Sequence, residues 1–181
     1  MSHICKKCRT QYLTPNLFKR KLSSGLEVFS FYKYDDISDL IKTKNSYLGF
    51  YIFQILAEIS IKLFIKELKV NNKIYLIPID DKVSNSGYSH TAILTEKSKT
   101  KNMIPIYNSL KSQSGVKYVG QSLEFRLENK RDFKIGKKVK KDSSIILIDD
   151  VITTGSTLNE ADIILKEFGI KDITALTLAT T

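Results

Sequence analysis

The spacing of apolar and polar residues changes several times along the chain, and each change marks an element. Residues 27–34 alternate and are rich in aromatics, which predicts a strand, and residues 36–44 fit a short helix. Residues 48–68 are apolar except for Gln54, Glu58, Lys62 and Lys66. These recur every four positions and form one narrow polar stripe on a long helix, with Glu58 placed to pair with Lys62. That stretch is long enough for a bilayer, but Glu58 and Lys62 interrupt it, so a core helix and no membrane span are expected. A strand over 74–79 follows, then a helix near 88–98, a strand around 103–107, a polar loop and a helix near 119–128.

The C-terminal quarter is the most regular part. Ile145 to Ile148 is apolar on both faces, as a central parallel strand covered by helices must be. Leu158, Ala161, Leu165 and Phe168 then form one helical stripe that ends at Gly169, a suitable C-terminal cap. Ile173 to Leu178 makes a last strand. Strands alternating with helices predict an α/β fold with a mostly parallel sheet flanked by helices.

Composition narrows the class of protein. With 181 residues, 42% hydrophobic, the chain has enough material for one domain with a substantial core. A formal net charge of +10 favours anionic partners, whether phosphorylated metabolite, nucleic acid or membrane surface. Lys130, Arg131, Lys134, Lys137, Lys138, Lys140 and Lys141 cluster in one segment. It reads either as a solvated loop or as a surface for single-stranded DNA. No basic-then-apolar leader opens the sequence, and the expected compartment is the cytoplasm.

The chemistry concentrates between the two C-terminal strands. Asp149 and Asp150 end the apolar run and are followed by Thr153-Thr154-Gly155-Ser156-Thr157 and a helix. Carboxylates at the end of a parallel strand accept hydrogen bonds from vicinal ribose hydroxyls or orient a hydrated Mg²⁺. Alternation along the strand makes the two side chains diverge. The hydroxyls and the free N–H groups of a helix N-terminus suit a phosphate, and Gly155 permits the close approach or positive φ that such a loop needs. The same strand would fit a Walker B segment of an NTPase, which requires a Gly-x₄-Gly-Lys-Ser/Thr loop. The nearest candidate, Gly115 to Ser122, has Gln121 where the lysine belongs, and no apolar strand leads into it.

The stretch from Ile145 to Thr157 resembles the phosphoribosyl-pyrophosphate (PRPP) binding motif of type I phosphoribosyltransferases, two acids followed by a Thr-Thr-Gly-x-Thr type of loop. The resemblance implies a type I phosphoribosyltransferase-like fold. Asp149 and Asp150 would serve the ribose and Mg²⁺, and Thr153, Thr154, Gly155, Ser156 and Thr157 the 5′-phosphate. More of the chain is similar to the ComF family, and to its ComFC type: the strand ending Leu76-Ile77-Pro78-Ile79, the segment Gln121 to Asn129, and an N-terminal Cys5-Lys-Lys-Cys8.

That resemblance implies a pyrophosphate turn at Asp80, Asp81 and Lys82, with Arg126 as a further pyrophosphate contact or a structural salt bridge. It divides the chain into an N-terminal Cys-x-x-Cys segment, 1–26, and a phosphoribosyltransferase-like domain, 27–181. It also implies a role in natural transformation. Lys130, Arg131, Lys134, Lys137 and Lys138 would then bind single-stranded DNA, Tyr118 and Phe125 would stack its bases, and a helicase or DNA channel would be a partner.

The chain departs from the family in two places. Ser86-Gly87-Tyr88-Ser89-His90 stands where Arg-Gly-Tyr-Asn-Gln is usual, and His90 is expected as a packed or surface residue. Thr14 and Leu17 occupy the positions of a second cysteine pair. A structural zinc site takes four ligands, so Cys5 and Cys8 are expected as a degenerate zinc-finger-like segment or a reactive dithiol, with Zn²⁺ the alternative. A hood that recognises an acceptor is expected from residues 1–30 or 108–141. Two functions stay open: a PRPP-binding factor that handles incoming DNA, and an active transferase that moves phosphoribosyl from PRPP to a nitrogenous acceptor.

Overall fold

The computed structural model describes residues 4–68, 70–79, 83, 86–112, 133–136 and 138–181. A six-stranded sheet organises the chain, in the order β1-β2-β8-β7-β3-β4. Its members are β1 (Phe18–Lys21), β2 (Glu27–Lys33), β3 (Ile74–Pro78), β4 (Met103–Pro105), β7 (Ser144–Ile152) and β8 (Asp172–Thr180). Every pairing is parallel except β1 with β2, a hairpin on one edge that joins residues on both sides of position 26. A separate antiparallel ribbon pairs β5 (Leu110–Ser112) with β6 (Phe133–Ile135).

Helices cover both faces, as the apolar run in β7 requires. Ile146 and Ile148 face a cluster built from α2 (Tyr34–Lys42), α3 (Tyr47–Ile59), α4 (Ile61–Glu67) and α5 (His90–Lys97). Ile145 and Leu147 face the opposite cluster, where α6 (Ser156–Phe168) contributes Leu158, Ala161 and Leu165. These strand residues are at most 5% exposed, so β7 lies at the centre of a three-layer α/β fold.

The crossovers set where a ligand crevice would lie. Helix α5 leads from β3 out to β4 over one face, and α6 leads from β7 to β8 over the other. Successive connections therefore run in opposite directions from the β3/β7 pair, and the carboxyl ends of those strands form the point where open α/β sheets bind ligands. The strand ends are staggered there. Pairing with β3 ends at Ile148, whereas pairing with β8 continues to Ile152. Asp149 and Asp150 thus lie inside β7, not beyond its end, on a stretch laddered to β8.

The expected single helix over 48–68 is two helices. Ser60 leaves helical geometry at φ −126° and ψ −89°, and its hydroxyl donates to the Leu56 carbonyl at 2.6 Å. This break removes the i,i+4 relation between Glu58 and Lys62. Glu58 pairs instead with Lys97 of α5 at 3.0 Å. Tyr47–Glu67 is apolar enough to cross a membrane by composition, yet half of its apolar window is buried in the fold.

Helix α1 (Lys6–Tyr12), strand β1 and the β5–β6 ribbon have no counterpart in the sequence pattern, and the strand expected over 103–107 is shorter. The helix expected near 119–128 lies outside the described residues.

Phe53 of α3 is fully buried and packs edge-on against His90, with centroids 5.6 Å apart, so it joins the core to the crevice. Phe53→Ala is expected to cost about 3–5 kcal/mol of stability, measured by denaturant unfolding.

Candidate functional site

The two acids diverge as strand alternation requires, and their surroundings differ. Asp150 points to the helical layer and is 6% exposed. Its Oδ2 accepts from Lys44 Nζ at 2.8 Å and lies 3.5 Å from His90 Nε2. Its Oδ1 accepts from the Val151 N–H at 2.9 Å. Asp149 is partly exposed on the other side, and its Oδ1 accepts from the Asp150 N–H at 2.8 Å.

Burial pushes the Asp150 carboxyl up, but the charges of His90 and Lys44 and the hydrogen bonds from Lys44 and at Asp149 outweigh it. The group is held below the ordinary carboxylate range, and Asp150 is ionised. The Lys44 ammonium is correspondingly raised: desolvation opposes its charge, and the pull of Asp150 overcomes that opposition.

Lys44 and His90 reach Asp150 because of the segment from Ser86 to His90. The Tyr88 hydroxyl lies 3.0 Å from the carbonyls of both Lys44 and Ser46, in position to donate to them, and Ser86 Oγ donates to the Lys44 carbonyl at 3.2 Å. These contacts pin the tight turn between α2 and α3. Gly49 makes room for them, because a Cβ there would collide with the Tyr88 hydroxyl and the Thr43 carbonyl. Ser89 caps α5 by accepting from the Ala92 N–H at 3.2 Å, which places His90 on the first turn against Phe53 and Asp150. His90, expected as a packed or surface residue, is both packed and part of the charged cluster.

Beyond β7 the chain turns sharply into α6. Gly155 adopts φ +79°, and a Cβ there would lie 2.7 Å from Leu22 Cδ2. Thr153 and Thr154 are exposed, Ser156 and Thr157 are partly exposed, and Gly155 is buried beneath them. Thr154 Oγ1 donates to Ser156 Oγ at 3.1 Å and accepts from the Ser156 N–H at 3.3 Å. The result is a hydroxyl-lined loop over the positive end of a 13-residue helix, suited to an anion.

The β1–β2 hairpin braces this loop. The Arg20 guanidinium donates to the carbonyls of Thr153 and Thr154, and Leu22 packs beneath Gly155. Asn159 Oδ1 accepts from Ser23 Oγ and the Ser24 N–H at 2.9 and 2.8 Å, fastening the hairpin turn to α6. A shallow cavity opens beside the loop, lined by Phe18, Lys33, Tyr34, Asp35, Thr180 and Thr181. The Thr181 N–H donates to the carbonyl of Ile152, the last residue of β7 before the loop, at 3.1 Å.

The structure therefore brings together Asp149, Asp150 and Thr153–Thr157. The N–H of Ile79, just past β3, donates to the Ile148 carbonyl at 2.8 Å, but Asp80, Asp81, Lys82, Arg126, Lys130, Arg131, Lys137, Tyr118 and Phe125 lie outside the described residues. Lys134 and Lys138 are exposed. Cys5 and Cys8 are exposed free thiols 3.0 Å apart, two donors of the four that a structural zinc takes. Among the described residues no group of three or more His, Cys, Asp or Glu side chains is placed to hold a metal. Lys44, Arg20 and Leu22 had no signal in the pattern. The departure at Ser86–His90 was the one visible hint of the cluster around Asp150.

Residues 91–181, half of the chain, match the family model of the phosphoribosyl transferase domain, and the chain belongs to that family. Its fold is of the type I phosphoribosyltransferase kind. Among solved structures it is similar to a hypoxanthine phosphoribosyltransferase from Staphylococcus aureus, at 16% identity and a TM-score of 0.45, over 71% of this chain and 63% of that one. It is also similar to an orotate phosphoribosyltransferase from Aeropyrum pernix, at 18% identity and a TM-score of 0.40, over 96% and 80%. The chain thus spans less than two thirds of the S. aureus enzyme. No curated protein matches it.

The depressed Asp150 makes stability depend on pH. A carboxylate whose folded pKa lies below its unfolded value stabilises the fold fully above the unfolded pKa, about 3.9, and loses that contribution as pH falls through the folded pKa. Asp150→Asn is expected to cost about 2–3 kcal/mol at neutral pH, with the gap from wild type closing below about pH 4 in urea unfolding curves.

Proposed function

We propose that the crevice binds PRPP. The observation that carries this reading is the loop Thr153–Thr157 opening at the N-terminus of α6, with the partly exposed Asp149 on the adjoining strand. The loop N–H and hydroxyl groups would take the 5′-phosphate, and Asp149 would accept from the ribose hydroxyls. The donor set also suits Mg²⁺, which keeps most of its waters and needs only one or two carboxylates besides the substrate's phosphates. Asp149 would hold it through water, and the ion would supply neutralisation of the pyrophosphate charge. Asp80, Asp81, Lys82 and Arg126 belong to the same reading as pyrophosphate contacts.

The finer reading is a ComF-like factor of natural transformation, in which PRPP is a ligand or effector and the basic surface handles single-stranded DNA in the cytoplasm. Its support is the sequence resemblance, the net charge of +10 and the exposure of Lys134 and Lys138, to which Lys130, Arg131 and Lys137 would add. A helicase or DNA channel would be its partner.

The cavity beside the loop favours a second reading, transfer of phosphoribosyl to a nitrogenous acceptor. Phe18 and Tyr34 would offer faces for a planar ring, and Lys33, Asp35 and the two threonines would offer polar contacts. An acceptor nitrogen would form its bond to C1 as the C1–O bond to pyrophosphate breaks, with positioning and electrostatics stabilising the oxocarbenium-like transition state.

Calorimetric titration of PRPP with Mg²⁺ is expected to give a binding isotherm for wild type that Asp149→Asn weakens at least about tenfold, near 1.4 kcal/mol. Gly155→Ala, which strains the loop, is expected to weaken it similarly. No heat with any sugar phosphate would refute the reading. Pyrophosphate release with candidate acceptors identifies the transferase, and a DNA affinity that falls steeply with salt identifies the DNA-binding factor.

A further inference from the structure

The partners of Asp150 bear on how the site uses metal. A buried carboxylate is stable only when paired, and pairing by a divalent cation would require its oxygens to be open to the ion. Here Oδ2 is taken by the Lys44 ammonium at 2.8 Å, with His90 Nε2 3.5 Å away, and Oδ1 is turned back onto the Val151 N–H. The Lys44 side chain is 29% exposed and that of Asp150 is 9% exposed, so the pair is largely withdrawn from water. It is also not a chance contact of a loose chain. The backbone carrying Lys44 is held at its carbonyl by both Tyr88 and Ser86, in a turn that Gly49 leaves just wide enough.

We infer that Lys44 is a positioning residue that serves as the resident cation of Asp150, so that the second acid of the pair is closed to Mg²⁺ and Asp149 alone of the two faces the ligand. The inference rests on the reading of Asp149 and Asp150 as the acids of a PRPP site, and it divides their labour. Asp150 holds the strand end and the Lys44 turn in place. Asp149, on the other side of the strand and partly exposed, would serve ribose and hydrated metal. The ammonium supplies at Asp150 the positive charge that a divalent ion would otherwise bring, without being lost when the metal leaves.

The test is thermal unfolding of the full chain with and without millimolar MgCl₂ and no PRPP, at one pH throughout. Wild type is expected to show no response to Mg²⁺. Lys44→Gln takes the ammonium from Oδ2 and leaves the buried carboxylate only the more distant His90, 3.5 Å away, and is expected to lower Tm by roughly 5–10 °C. Mg²⁺ is expected to recover part of that loss, because a ligand that binds only the folded state raises Tm.

Lys44→Arg keeps the charge and is expected to behave as wild type. The double variant Lys44→Gln/Asp150→Asn has neither charge and is expected to regain most of the Tm and lose the Mg²⁺ response, which would place that response at Asp150. A wild-type Tm that rises with Mg²⁺ as much as that of Lys44→Gln would overturn the inference. So would a double variant that still responds to Mg²⁺. Should Lys44→Gln fail to fold, the wild-type, Lys44→Arg and double-variant arms still decide. Failure of PRPP to bind wild type would refute the functional reading and leave these Tm arms unaffected.

Discussion

An ionised carboxylate taken out of water at the end of a hydrophobic strand must be given a cation, and much of the crevice follows from that need at Asp150. The cation is Lys44, on a turn that can come close because Gly49 lacks a side chain and Tyr88 ties its carbonyls down. Tyr88 and Ser86 belong to the segment that starts α5, and that segment also aims His90 at the same carboxylate. One charge thus links the α2–α3 turn, the start of α5 and the middle strand of the sheet. The coupling is strong because these groups lie where the effective dielectric is low and water does not compete.

A second support works on the opposite side of β7 and by different physics. The loop Thr153–Thr157 offers its hydroxyls outward and therefore has few contacts of its own to fix its shape. The β1–β2 hairpin supplies them, with Arg20 on the loop carbonyls, Leu22 under Gly155, and the hairpin turn fastened to Asn159. Fixing backbone from behind lets the front stay polar and accessible, as preorganised anion sites require. Residues 18–26 thereby brace the loop, and Phe18 of the same hairpin lines the cavity with Lys33, Tyr34, Asp35, Thr180 and Thr181.

Family membership and fold say that this is phosphoribosyltransferase-type architecture; they do not choose between holding PRPP and transferring it. The local chemistry is asymmetric in an instructive way. Asp149 and the loop hydroxyls are at least partly exposed, whereas Asp150 is buried and paired with Lys44. The two acids of the motif therefore sit in different surroundings, one partly open to solvent and one buried against a cation.

The sequence by itself determined the elements that repeat with a period: the central strand apolar on both faces, the stripe of α6, the Gly155 turn and the divergence of Asp149 from Asp150. These depend on neighbours within a few residues, so the chain carries them locally. It overextended the helix at 48–68, because apolar composition does not register a single backbone break at Ser60, and so it matched Glu58 with Lys62 when tertiary packing chose Lys97. Only the tertiary structure decided which acid faces inward, that Lys44 meets it from 106 positions away, and that Arg20 steadies a loop 133 positions distant. Such contacts leave no periodic trace. They exist because folding brings distant residues to one staggered strand end, where burial makes each unpaired charge or carbonyl costly enough to require a partner.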